Sequence, residues 1–116
     1  MDNESLQKWI VPALVLAWLL RKLLLFRAAK KRLPALLEQG ALVVDVRSKG
    51  EYAAGARPGS LNIPLGELER NLSRLDPAKP VIVCCASGTR SAMAAGILRK
   101  NGFKNVLNAG PWQNTL

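Results

Sequence analysis

The stretch VIVCCASGTRSAMAAG, residues 81–96, holds the only two cysteines of a 116-residue chain, Cys84 and Cys85. Counted from Cys84, Arg90 falls at C-x5-R with Ser91 behind it. Counted from Cys85, the spacing is C-x4-R. A thiolate is a strong nucleophile once something lowers its pKa. The chain has no histidine, which removes the usual general base, the usual proton shuttle and the commonest zinc ligand. Activation must come from another source. Two vicinal cysteines are poor material for a disulfide framework, so the count gives no argument for an oxidising compartment.

The segment Cys85-Ala86-Ser87-Gly88-Thr89-Arg90 joins an apolar run to a helical pattern. Small residues let such a loop curl so that successive backbone N–H groups point inward, where the free N–H groups of the helix start join them. The nest holds an anion, and the nearest anion is the thiolate itself. A cysteine at a helix N-terminus beside an arginine has its pKa lowered from about 8.5 to roughly 3.5–7.5. The register remains to be chosen. C-x5-R is the spacing of protein-tyrosine-phosphatase loops, in which a glycine follows the nucleophile by three positions and the arginine by six. Gly88 stands three after Cys85 and four after Cys84, so the glycine selects Cys85 and Arg90 then comes one residue early. Cys84 completes the run Val81-Ile82-Val83 and reads as a small core residue on a strand.

The surrounding pattern alternates helix and strand. PALLEQG, residues 34–40, predicts a short helix with Pro near its start and Gly past its end. ALVVDV is a continuous apolar run, as in a strand buried on both faces, with Asp45 in it and Arg47 just beyond. GEYAAG predicts a helical turn, and ARPGSLNIP a punctuated loop with a short strand at 61–63. GELERNLSRL spaces Leu65, Leu68, Leu72 and Leu75 as in a helix. VIVCC and NVLNAG are two further buried strands, separated by the helix RSAMAAGILRKNG with Gly102 as its stop. This order predicts an α/β fold: a mostly parallel sheet with helices on both faces, and a site beyond the carboxyl ends of the strands. Two strand ends carry polar chemistry, one with Asp45 and Arg47, the other with Cys85 to Arg90.

These residues resemble the rhodanese-like sulfurtransferases. Their active-site loop C-x-S-G-x-R-S is matched by Cys85, Ser87, Gly88, Arg90 and Ser91. LVVDVRSKGEY (42–52), GSLNIPLGEL (59–68) and GFKNVLNAGPW (102–112) are similar to three further segments of the family in the same order. The resemblance covers about residues 34–112. It implies a rhodanese-like three-layer fold and a sulfur transfer through a Cys85 persulfide, with a small anionic donor such as thiosulfate and a thiol or protein acceptor. No metal and no cofactor are implied. Loop N–H groups from Ala86, Ser87, Gly88, Thr89 and Arg90 would hold the substrate sulfur, and Arg90 would either hold the leaving group or brace the loop. Asp45 is expected to fix the loop through backbone hydrogen bonds, and Arg47 to recognise substrate or pair with Glu51. The family's G-H-I-P-G is here Gly55-Ala56-Arg57-Pro58-Gly59, so Arg57 either adds positive potential near the site or is simply solvated. Pro111 replaces a second glycine. With the sequence ending at Leu116, a C-terminal helix beyond Trp112 would be truncated or absent.

Two rival functions share the same thiolate. One is a persulfide carrier or regulatory module that serves a protein partner. The other is a small cysteine phosphatase or arsenate reductase, which would want the longer loop and a general acid that no segment clearly offers.

The formal charge is +9. Residues 1–32 carry seven Lys/Arg against two Asp/Glu, a net of +5. The densest basic cluster follows an apolar run and aromatics are few, a membrane pattern rather than a nucleic-acid one. The run WIVPALVLAWLL (9–20) spans about 18 Å as a helix, and residues 9–26 about 27 Å against a hydrocarbon core of about 30 Å. The longer span requires Arg21 and Lys22 to snorkel. Asp2, Glu4 and Lys8 precede the run, which is unlike the basic start of a signal peptide. The expected division is therefore residues 1–32, a hydrophobic and basic helix anchoring the chain in a membrane, and residues 33–116, the rhodanese-like domain. The basic excess after the run places that domain on the cytoplasmic side of an inner membrane. The alternative is a soluble cytoplasmic chain whose apolar helix packs on protein, including a second copy in a homodimer.

Overall fold

The computed structural model describes residues 3–116; Asp2 lies outside them. In chain order the elements are α1 (Asn3–Glu38), β1 (Leu42–Asp45), α2 (Lys49–Ala53), β2 (Leu61–Asn62), β3 (Val81–Cys85), α3 (Thr89–Lys100) and β4 (Val106–Pro111). The four strands form one all-parallel sheet in the order β2-β1-β3-β4. Helices cover both faces, as the alternating sequence pattern requires of a parallel sheet.

Alternation along β3 divides the core in two. Val81, Val83 and Cys85 point to the layer shared with Ala94, Ala95 and Leu98 of α3. Ile82 and Cys84 point to the layer shared with Ala29, Leu33 and Leu36 of α1. The two cysteines are thus both buried, but on opposite faces of the central strand.

The short helix expected from Pro34 is instead the last turn of α1, which runs unbroken through Pro34. The expected boundary between residues 32 and 33 therefore falls within a helix. Proline removes one helical hydrogen bond, but Ala29, Leu33 and Leu36 are buried at helical spacing on either side of it. Each large side chain so buried contributes about 1.5–3 kcal/mol, enough to hold the helix through the defect. α1 stops in a Schellman arrangement: Gly40, at φ +85°, donates to Leu37 O at 3.0 Å, and Ala41 donates to Leu36 O at 3.0 Å.

The leucine-spaced segment 65–75 is also not one α-helix. It forms two 3-10 turns, Leu65–Glu67 and Glu69–Arg74, the second interrupted by non-helical angles at Asn71. Asn71 bonds the carbonyl of Glu67 through its side-chain amide, at 2.7 Å, a local alternative to the helical ladder. Leu68 and Leu75 still reach the core.

α1 runs against the strand direction. Its C-terminal turn leads through Gly40 into the start of β1, whereas Phe26, three turns earlier, lies on Gly88 and Gly110 at the far ends of β3 and β4. Residues 6–20 extend beyond that end with their side chains exposed.

Candidate active site

The sheet's carboxyl end places Cys85 at the last position of β3, directly before the turn into α3. Gly88 caps α3 at φ +100°, a left-handed backbone that favours glycine. This conformation aims its N–H back at the sulfur: Gly88 N–H donates to Cys85 Sγ at 2.9 Å. Ser91 Oγ lies 3.3 Å from the same sulfur. Burial of Cys85 pushes its thiol pKa up, but the Ser91 hydroxyl and the backbone N–H groups of Ser91, Gly88 and Ser87 outweigh it. The net shift is downward. Ala86, Ser87 and Thr89 form the exposed rim above this nest.

Asn108 completes the cradle, and the sequence reading did not single it out. Its Oδ1 accepts the Ser91 hydroxyl at 2.7 Å and the Gly110 N–H at 2.9 Å, while its Nδ2 faces the Gly88 carbonyl at 3.3 Å. The Gly110 donor fixes which end of the amide is oxygen. A serine hydroxyl has one proton. With a neutral thiol, Ser91 gives that proton to Asn108 and can accept from S–H. With a thiolate, the hydroxyl can turn to the sulfur while Gly110 keeps Asn108 Oδ1 satisfied. A lone amide within the otherwise apolar run VLNAG, residues 106–110, was the available signal.

Cys84 has the opposite environment. It is paired in register with Asp45, and its pKa is pushed up to about 12, first by burial and then by the Asp45 charge. It is a neutral core thiol.

Arg47 and Asp45 form a buried ion pair, with Arg47 Nη2 2.7 Å and Nε 3.0 Å from Asp45 Oδ2. Asp45 Oδ1 also accepts the Arg47 backbone N–H at 3.0 Å. Arg47 further donates to the carbonyls of Gly55 (2.7 Å) and Glu51 (3.3 Å), and its guanidinium sits 5.0 Å from the Trp112 ring centroid. Its carboxylate partner is Asp45, and it reaches only the main chain of Glu51. The pair staples the loop after β1 to the segment after β4.

The Glu51 carboxylate belongs to Arg90, bonding Nη1 at 2.7 Å and Nη2 at 3.0 Å. Arg90, first and foremost, holds the Glu51 carboxyl down to about 2, helped by the Ser48 backbone N–H. Ser48 and Glu51 also form the capping box that starts α2. Arg90 thus ties the starts of α2 and α3 together across the mouth of the site. Arg57 donates to the Thr115 carbonyl, bracing the C-terminal segment. Among the described residues, no three His, Cys, Asp or Glu side chains converge to hold a metal ion.

Fold and site together define a parallel α/β domain that presents an activated cysteine in an amide nest at a helix start. Residues 29–110 match the family described as Rhodanese-like domain, and the chain belongs to that family. It is 40% identical over 81 residues to a protein named thiosulfate sulfurtransferase GlpE of Pseudomonas fluorescens, covering 66% of this chain and 74% of that one. It is 42% identical over 69 residues to the putative sulfur carrier protein YrkF of Bacillus subtilis, covering 60% of this chain and 37% of that one. Among solved structures, the human single-domain sulfurtransferase TSTD1 superposes with a TM-score of 0.60 at 36% identity, over 72% of this chain and 88% of that one. The chain spans 37%, 54% and 63% of the lengths of three of the curated relatives it matches.

Proposed function

We propose that the chain is a thiosulfate sulfurtransferase of the rhodanese type, working through a Cys85 persulfide. The Cys85 thiolate attacks the sulfane sulfur of an anionic donor such as thiosulfate. A new S–S bond forms, the bond from sulfane sulfur to sulfonate sulfur breaks, and its electron pair leaves on sulfite. An acceptor thiolate then attacks the terminal sulfur of the persulfide. The acceptor leaves as its own persulfide and the Cys85 thiolate is restored, with no net oxidation or reduction. Cyanide as acceptor gives thiocyanate. This is covalent catalysis by an activated nucleophile.

The observation that carries the reading is the convergence of Gly88 N–H and Ser91 Oγ on Cys85 Sγ, 2.9 and 3.3 Å away. The rim amides of Ala86, Ser87, Thr89 and Arg90 extend the nest toward an incoming anion. Asp45 and Arg47 hold the floor, and Arg90 braces the loop through Glu51. That engagement speaks against a phosphatase or arsenate reductase, in which the arginine must be free for the oxyanion. A persulfide carrier for one protein partner uses the same first step, and the carrier name of the Bacillus subtilis relative favours keeping it as the second reading. Mass spectrometry after thiosulfate treatment tests the first step. An adduct of about 32 Da, one sulfur atom, is expected on wild type and Cys84→Ser and absent from Cys85→Ser. The reverse pattern sinks the assignment. Turnover with cyanide separates the enzyme from a carrier discharged only by its partner.

Residues 1–32 are read as the anchoring unit and 33–116 as the sulfur-transfer unit. α1 contains a stretch near the N-terminus long and apolar enough to cross a membrane, with none of that stretch buried in the domain. Residues 9–26 would enter the inner membrane, with residues 21–26 in its head-group layer where Arg21 and Lys22 snorkel and Phe26 meets the domain, and the basic residues that follow would keep the domain in the cytoplasm. A soluble chain, paired through α1 with a second copy, is the alternative. Carbonate washing of membranes distinguishes them: an inserted helix stays in the pellet, whereas a soluble dimer is released.

A further inference from the structure

α1 leaves the domain on the face that carries Cys85. Phe26 lies against the catalytic loop so closely that a Cβ added to Gly88 would fall 2.4 Å from Phe26 Cζ, and one added to Gly110 2.6 Å from Cε1. The Asn114 side-chain amide bonds the Phe26 carbonyl at 2.9 Å, and the carbonyl of Ala109 at 2.8 Å. The direction of the helix is therefore locked to the end of β4 and not set by a free linker. Leu20, the last residue of the uncharged run, is six residues from Phe26, about 9 Å along the axis. The polar layer of a bilayer is roughly 5–8 Å deep on each side.

We propose that α1 holds the catalytic face of the domain against the head-group layer of an anionic bilayer, so that Cys85 exchanges sulfur with partners presented at the membrane surface. The proposal rests on the insertion of α1 proposed above and adds which side of the domain faces the lipid. Charge supports it. Arg21, on the bilayer side of the loop, and Arg27, at its level, are exposed along the helix, where they complement anionic head groups, and the exposed Lys30, Lys31 and Arg32 follow within about 8 Å along the axis. Lys22 Nζ lies 4.6 Å from the Trp18 ring centroid and 5.8 Å from that of Phe26, an aromatic and snorkelling cation at interface depth. Trp18, Lys22 and Phe26 meet Gly88, Thr89 and Asn108 in an open groove of about 260 Å³. One wall of that groove is the interfacial part of α1 and the other is the nest itself. The opposite end of the sheet, with Asp76 and Lys79, is a strand length away, roughly 13–20 Å.

The full chain reconstituted in phosphatidylcholine–phosphatidylglycerol vesicles tests this. In a Cys84→Ala, Cys85→Ser background, a bimane label is placed at the rim by Ser87→Cys and at the far end by Lys79→Cys. Quenching by head-group nitroxide lipids is then measured on protein that floats with the vesicles. Several-fold stronger quenching at position 87 than at 79 is expected. Equal quenching, or stronger quenching at 79, overturns the orientation while leaving the anchor intact. Failure of every variant and of wild type to float overturns the anchor and the inference together. Thr89→Cys gives a second rim position if the Ser87 variant does not fold, with the same expected result and the same overturning one.

Discussion

Asn108 Oδ1 accepts the Ser91 hydroxyl at 2.7 Å, and Ser91 Oγ is in turn 3.3 Å from the Cys85 sulfur. A strand amide therefore sets the orientation of the hydroxyl that helps hold the thiolate. Asn108→Leu removes the acceptor and leaves Ser91 free to rotate. Because the Cys85 pKa is depressed in the folded protein, wild-type alkylation by iodoacetamide should rise with pH and level off earlier than for a free thiol. In Asn108→Leu the single Ser91 proton has no competing acceptor and can go to the sulfur, so the plateau should shift to lower pH and the rate at neutral pH should rise. An unchanged pH profile would remove Asn108 from the site.

Cys84 is held neutral with its pKa at about 12, so native protein should lose one thiol to iodoacetamide at pH 8 and two in denaturant. Counting adducts by mass checks this. Cys84→Ser should leave Cys85 reactivity intact. It should cost about 1–3 kcal/mol of stability if the buried hydroxyl finds no partner, read as a lower denaturant midpoint.

Removing Arg47 leaves Asp45 buried and unpaired. Arg47→Met should cost about 3–5 kcal/mol, and adding Asp45→Asn should recover part of it, because the stranded charge goes too. A double variant as unstable as Arg47→Met alone would assign the loss to the Gly55 and Trp112 contacts instead.

The exposed Glu51–Arg90 pair behaves differently. Glu51 is held at about 2, below its ordinary value of about 4.3. A depressed carboxyl contributes stability that is present above the unfolded pKa and lost as pH falls through the folded one. Wild type should therefore lose the contribution of this pair between about pH 4 and pH 2. Glu51→Gln should flatten that part of the curve of denaturant midpoint against pH. The same slope in both proteins would show that the pair is not coupled to folding.

Gly88 meets two constraints, a φ of +100° and the Phe26 ring. Gly88→Ala should cost about 1–3 kcal/mol from the backbone alone and turn its N–H off the sulfur, slowing Cys85 alkylation. Adding Phe26→Ala clears the collision but not the φ, so it should restore only part of the alkylation rate.

Much of the fold was legible because β1, β3 and β4 are apolar on both faces and are separated by helical periods, which leaves few alternatives to a parallel sheet. The position of Gly88 relative to each cysteine pointed to the thiol that the structure places in the nest. Asn108 was not legible, since its reach depends on how β3 and β4 align. The register shifts between Val83 and Cys84, pairing Val83 with Asn108 and Cys84 with Gly110. The partner of Arg47 was hidden for a similar reason: Asp45 and Glu51 are both close in sequence, and only the fold of the loop after β1 decides between them. Pro34 misled because local propensity gives way to the burial of Ala29, Leu33 and Leu36. Phe26 lay outside every motif, in a segment whose apolar character had a sufficient explanation in the membrane.

The placement of Cys84 and Cys85 on opposite faces of β3 also governs what oxidants do to the protein. A sulfenic acid on a reactive cysteine is commonly rescued by a neighbouring thiol that condenses with it. Here the adjacent thiol points into the other core layer, and bringing the two sulfurs together would require tearing the central strand from β1 and β4. Oxidised Cys85 therefore has no internal way back, and its recovery, or its progress to the irreversible sulfinic state, depends on how quickly an external thiol arrives.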